Sequence, residues 1–107
     1  MTITLKDVAL PDRRTLSEDG VLVIVATVAV SIGAAAAMPE LIARGLSEPG
    51  PLLDEMRAEA DRVLRDLLGQ NVREIKLLQE HLHDAVGQLI YDRTGRRPMI
   101  LPVIVEV

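Results

Sequence analysis

The chain has 107 residues, of which 49% are hydrophobic and 26% charged, with a formal net charge of −4. That length suits one domain with a modest core, the apolar content excludes a disordered chain, and the negative balance gives phosphate no long-range attraction. Aromatic residues are only 1% (Tyr91 alone) and cysteine is absent, so the core is aliphatic, a base-stacking platform is disfavoured, and disulfides, zinc ribbons and thiol nucleophiles are excluded.

Residues 1–20 are mixed and polar. "TITL" reads as a short strand, "LPDRR" as a turn, and "SEDG" (Ser17 to Gly20) as a turn signal. Lys6, Asp7, Asp12, Arg13 and Arg14 leave no room for an apolar signal-peptide region. Val21 to Met38, "VLVIVATVAVSIGAAAAM", carries no charge over eighteen residues, which reaches the lower limit of a membrane span. Its first half is rich in Val and Ile, its second in Ser, Gly and Ala, and no basic cluster flanks it. The pattern therefore predicts a buried strand followed by a turn, without a membrane. From Val21 to about Val28 both alternating sets are apolar: Val21, Val23 and Val25 on one side, Leu22, Ile24 and Val28 on the other. Such a strand is covered on both faces. A turn at Ser31 to Gly33 and a short second strand follow. "MPELIARG" shows no decisive period, although Arg44-Gly45 places a guanidinium at a sharp turn. Glu48 to Pro51, "EPGP", is a breaker.

Two helices come next. Leu52, Met56, Ala60, Val63, Leu64, Leu67 and Leu68 recur at three- and four-residue steps, leaving Glu55, Glu59, Arg62 and Arg65 outside. Pro51 fits the first turn and Gly69 the stop. The second helix is predicted to begin at Asn71 with Glu74 in a capping box. Its stripe is Val72, Ile75, Leu78, Leu82, Ala85, Val86, Leu89 and Ile90. Gly95 ends it, with Arg93, Arg96 and Arg97 near the negative end of the helix dipole. The short connection at Gly69 makes the two helices antiparallel. Met99 to Val107 is a last strand, apolar on both faces except Glu106. Pro98 and Pro102 each withhold a donor, which predicts an edge or bulged strand.

These elements give an α+β layer of β-β-α-α-β order, with two helices packed on the strands. Two helices cover one face of a small sheet. The second face then needs a cover: a twin subunit, a larger parent chain, or the first twenty residues.

Candidate chemistry is sparse. "EHLHD", Glu80 to Asp84, contains the start of an H-x-H-x-D metal motif, but His81 and His83 lie on a helix, where neighbours two apart point roughly 200° from each other. Ala85 stands where a further His is needed, so the pair reads as an exposed helix face. Arg93, Arg96 and Arg97 are candidates for phosphate contact or for helix capping. No phosphate loop follows Gly33, and no Ser-His-Asp arrangement can be assembled. No catalytic, cofactor-binding or metal-ligating residue is therefore assigned, and the residues point to a non-catalytic interaction domain. A small-molecule-binding regulatory domain and an RNA-binding domain using Arg93, Arg96 and Arg97 are the alternatives.

The closing "RRPMILPVIVEV", Arg96 to Val107, resembles the last strand of the C-terminal domain of ribonuclease J, the bacterial metallo-β-lactamase/β-CASP nucleases. "LSEDG", Leu16 to Gly20, followed at once by a Val/Ile strand, and "PELIARG", Pro39 to Gly45, resemble other segments of that domain in the same order. The chain departs from the family pattern at "SIGAAAAM", where a Gly-Lys hairpin and Ser-Gly are usual. The resemblance implies a small three-stranded mixed sheet on two antiparallel helices, with residues 1–20 as linker or extension and 21–107 as the assembly domain. It implies a cytoplasmic parent enzyme with 5′-to-3′ exoribonuclease and endoribonuclease activities in mRNA decay and rRNA maturation. That parent uses two divalent metal ions (Zn or Mn) held by an H-x-H-x-D-H motif and companions outside this chain. Met1 is then expected to stand at a domain boundary. The implied partners are a second copy, forming a homodimer, and the catalytic domains of the parent, which bind most of the RNA. The role implied for this chain is support of dimerisation and of full parent activity, with no cofactor of its own.

Overall fold

The computed structural model describes residues 19–29, 31–46 and 49–107. The strand and turn expected from "TITL" and "LPDRR" lie outside them. Strand β1, Val21–Ala29, is the axis of the sheet. Strand β2, Ala34–Ala35, returns antiparallel to Val28 and Ala29, and β3, Glu40–Arg44, continues antiparallel along Val21 to Val25. Both lie on the same side of β1, because strand β4, Met99–Glu106, occupies the other side, parallel, from Val21 through Val28. The sheet is thus mixed and three strands wide, with its third strand broken into β2 and β3. The break is a bulge: Ala36 N–H donates to the Thr27 carbonyl at 2.8 Å and Glu40 pairs with Val25, so Ala37, Met38 and Pro39 together oppose Ala26. Pro39 fills the bulge and is fully buried, where its missing N–H leaves no ladder bond unmade.

Helix α1, Pro49–Gly69, and helix α2, Ile75–Thr94, pack together on one face of this sheet, α1 over β2 and β3 and α2 over β4. The apolar stripes expected for both helices are the ones that point inward. Met56, Ala60, Leu64, Leu67 and Leu68 of α1 and Leu78, Leu82, Val86 and Ile90 of α2 are buried against Leu22, Ile24, Ala26, Val28 and Ile100. Each of the Val, Leu, Ile and Met side chains among them contributes about 1.5–3 kcal/mol on leaving water, and the two alanines less.

The junction of the helices differs from the sequence expectation. Asn71 does not cap α2; that helix begins at Ile75, after Glu74, and has no side-chain cap bond. Asn71 takes φ +67° and closes α1 instead. Val72 N–H donates to the Leu67 carbonyl at 2.9 Å and Asn71 N–H to that of Leu68 at 3.0 Å, the two bonds of a Schellman motif. Asn is one of the few residues that tolerates this left-handed conformation, so satisfying the carbonyls of α1 takes precedence over the capping box. At the other breaker, the helix begins at Pro49, so "PGP" is its first turn rather than a gap before it. Gly95, φ +71°, ends α2 as expected, its N–H on the Tyr91 carbonyl.

Candidate assembly surface

The register assigns every strand residue to a face. Leu22, Ile24 and Ala26 share the helix-covered face with Ala43, Leu41, Ile100, Pro102 and Ile104. Val21, Val23, Val25 and Thr27 share the opposite face with Arg44, Ile42 and Glu40 of β3 and with Met99, Leu101, Val103 and Val105 of β4. No described helix or strand lies over this second face. Along β1 the first set is buried and the second half-buried, in strict alternation. Ile42 is 45% exposed on this face, and Val107, which follows Val105 in the alternation of β4, is 59% exposed at the chain end. Met99 (6%) and Val105 (7%), toward the two ends of β4, are buried on this face, and the half-buried aliphatic side chains between them make it a candidate contact surface. The two-sided apolarity read in β1 and β4 is therefore real, and the helices account for only one side of it.

The sheet also has two edges, and they are built differently. Met99 N–H donates to the Gly20 carbonyl and Val107 N–H to that of Val28. By alternation, the backbone groups of Ile100, Pro102 and Ile104 point away from β1, along the outer edge. Pro102 has no N–H to offer there, and Gln79 of α2 donates its side-chain amide to the Pro102 carbonyl at 3.1 Å. The expected edge position of this strand is thus observed, without a bulge, and the middle of that edge is closed to further pairing. On β3, Glu40, Ile42 and Arg44 turn their backbone groups to β1, which leaves those of Leu41 and Ala43 facing outward. The one described side chain on this edge is Arg44 itself, whose Nη1 donates to the adjacent Ala43 carbonyl at 2.9 Å. Gly20 fixes the end of β1 beside it: at φ +92° an added Cβ would stand 2.7 Å from the Arg44 carbonyl oxygen.

The residues singled out for chemistry are scattered. His81 and His83 are both exposed on α2, and His83 Nδ1 lies 3.0 Å from Asp84 Oδ1. Among the described residues, no three His, Asp or Glu side chains gather as a metal set. Nor is any described helix long and apolar enough to cross a membrane. Arg93 is engaged by Glu55 of α1 through Nε–Oε2 at 2.8 Å, a bond that, with the carboxylate charge, pushes the Arg93 pKa up from its ordinary value. Arg97 lies over the Tyr91 ring, 4.6 Å from its centroid, and its N–H donates to Asp19 at 3.0 Å. Arg96 N–H donates to Thr94 Oγ1 at 3.0 Å. The Arg93 side chain thus holds the end of α2 to α1 and the Arg97 backbone N–H ties it to the entry of β1, while all three arginine side chains remain exposed. Arg44 sits beside Gly45, φ +74°, at the sharp turn read from the sequence. Sequence reading missed its companion Glu40. The alternation of Glu40, Ile42 and Arg44 was the available signal, obscured because "MPEL" begins in a bulge.

Comparison with known proteins bears on what such a surface serves. Residues 8–107 match the family described as the ribonuclease J C-terminal domain. The chain is 32% identical over 104 residues to Ribonuclease J2 of Bacillus subtilis (strain 168), covering 94% of this chain and 19% of that protein. It is equally similar to Ribonuclease J 2 of Staphylococcus epidermidis, and 31% identical over 105 residues to that of Staphylococcus aureus (strain NCTC 8325 / PS 47), again over 94% of this chain and 19% of the relative. The chain spans about a fifth of the length of the curated relatives it matches.

Proposed function

This chain belongs to the ribonuclease J C-terminal domain family, and on that premise we propose that it is the non-catalytic assembly domain of a longer ribonuclease J. One observation carries the proposal. The face formed by Val21, Val23, Val25, Ile42, Leu101 and Val103 is aliphatic, and no described element covers it. Burying that side against a second copy, or against the catalytic body of the same protein, removes it from water. Residues 21–107 are the assembling unit, with residues 1–20 linking it onward.

In this reading the chemistry belongs to the other four-fifths of the protein: a cytoplasmic enzyme of mRNA decay and rRNA maturation. That enzyme has 5′-to-3′ exoribonuclease and endoribonuclease activities and two divalent metal ions (Zn or Mn). No residue of this chain is given a part in holding those ions. RNA is bound chiefly by that body, which agrees with Arg93 and Arg97 being engaged within the fold. The family match favours this role over that of a separate small-molecule-binding domain.

Light scattering on the 107-residue chain from micromolar to millimolar concentration tests self-association. A dimer mass that falls on dilution is expected. A single monomer mass throughout overturns assembly between copies.

A further inference from the structure

The exposed edge of β3 is self-complementary. Its five residues, "ELIAR", run acidic, apolar, apolar, apolar, basic, and are symmetric in charge magnitude about Ile42. Glu40, Ile42 and Arg44 project on the helix-free face, whereas Leu41 and Ala43 project toward the helices and carry the outward-facing backbone groups.

We propose that two copies of this chain join by antiparallel pairing of β3 with β3 about a two-fold axis at Ile42. This rests on the assembly reading above for a second copy as the partner and adds an edge seam, which sets the two helix-free faces side by side without covering them. Three features support this register over its neighbours. First, the axis at Ile42 sets Leu41 opposite Ala43 of the second copy and Ala43 opposite Leu41. Their outward N–H and C=O groups are paired with no described strand, and only the Ala43 carbonyl has a described partner, Arg44 Nη1, so each such pair can exchange two ladder bonds. A shift of one residue would oppose groups committed to β1. Second, Glu40 falls opposite Arg44 of the second copy, and Arg44 opposite Glu40, in the pairs where side chains approach most closely. Within one chain these two residues are four apart on an extended strand and cannot reach each other. Third, the other edge of the sheet is unsuited to the same role, because Pro102 lacks a donor and Gln79 occupies its carbonyl.

Arg44 supplies a simple transition between free and paired states. In the free chain its Nη1 covers the Ala43 carbonyl at 2.9 Å. On pairing, Leu41 N–H of the second copy takes that carbonyl, and the guanidinium turns to Glu40 of the second copy. The product is a continuous six-stranded sheet in which the two helix-free faces form one surface with the Ile42 pair at its centre.

Charge reversal and a single thiol test the seam. Arg44→Glu or Glu40→Arg alone places like charges opposite each other twice per dimer and is expected to weaken dimerisation roughly tenfold or more. The double variant Glu40→Arg, Arg44→Glu restores both opposite-charge pairs and is expected to return dimerisation to within about threefold of wild type. Both side chains are exposed, so circular dichroism should show unchanged folding. The natural chain has no cysteine, so Ile42→Cys introduces one thiol at the axis. There the two Cα atoms of a non-hydrogen-bonded pair lie about 4.5 Å apart, within disulfide range. A covalent dimer on mild oxidation, formed faster by Ile42→Cys than by an exposed control such as Ala58→Cys, supports the seam. A dimer that ignores charge reversal and gives no preferential Ile42→Cys cross-link overturns the seam but leaves self-association standing. A monomer at every concentration overturns both.

Discussion

The two faces of β1 are nearly indistinguishable in composition and opposite in circumstance. Leu22, Ile24, Ala26 and Val28 lie beneath two helices, at 0–3% exposure, whereas Val21, Val23, Val25 and Thr27 have no described element above them. Hydrophobicity alone therefore reads both faces as buried, and only the placement of α1 and α2 separates the domain's own core from the face that no described element covers. The same contrast holds between the edges: that of β4 is stopped by Pro102 and Gln79, and among the described residues that of β3 carries the exposed side chain of Arg44 alone.

Substitutions that set one face against the other should break or sharpen this contrast. The largest effect is expected from Ile104→Asp. Ile104 pairs with Ala26 on the helix-covered face and packs against the core. Ile104 is half-buried, so a carboxylate there loses part of its water and breaks the apolar layer, a cost of several kcal/mol that is comparable with the whole stability of a small domain and should abolish the cooperative thermal melt. Ile24→Ala, a truncation in the same layer, should lower stability by about 2–5 kcal/mol in denaturant titration. Asn71→Ala forces an ordinary residue into the left-handed turn that closes α1 and should cost about 1–2 kcal/mol, with Asn71→Gly close to wild type. Val23→Thr, on the helix-free face, should change the stability of the monomer by less than about 1 kcal/mol while lowering its tendency to assemble. If Val23→Thr were as damaging to the monomer as Ile24→Ala, the two faces would not differ in the way described.

Much of this was legible in the sequence. The unbroken Val/Ile-rich run from Val21 to Val28 marked the strand, and the stripes from Met56 to Leu68 and from Leu78 to Ile90 marked the helices and the α+β class, because helical burial periodicity follows directly from backbone geometry. Pro98 and Pro102 foretold an edge strand. The three-stranded mixed sheet and the family came from the resemblance, carried mainly by "RRPMILPVIVEV". Local signals misled where two structures compete for one residue: Asn71 fits an N-cap and a left-handed C-terminal closure equally well on paper, and α1 claims it. "MPELIARG" was unreadable because a bulge at Ala37 to Pro39 shifts the period before β3 begins. The edges were unreadable for a different reason. Which backbone groups face outward depends on the pairing partner, and the Gln79–Pro102 bond joins residues 23 apart.

The most direct test of assembly between copies is the mass of the wild-type chain across micromolar to millimolar concentration, measured beside Ile42→Glu, a substitution on both the helix-free face and the edge of β3, with the fold of each followed by circular dichroism. The expected result is a wild-type dimer that dissociates on dilution and a folded variant displaced toward monomer. A wild-type chain that remains monomeric over the whole range would contradict it.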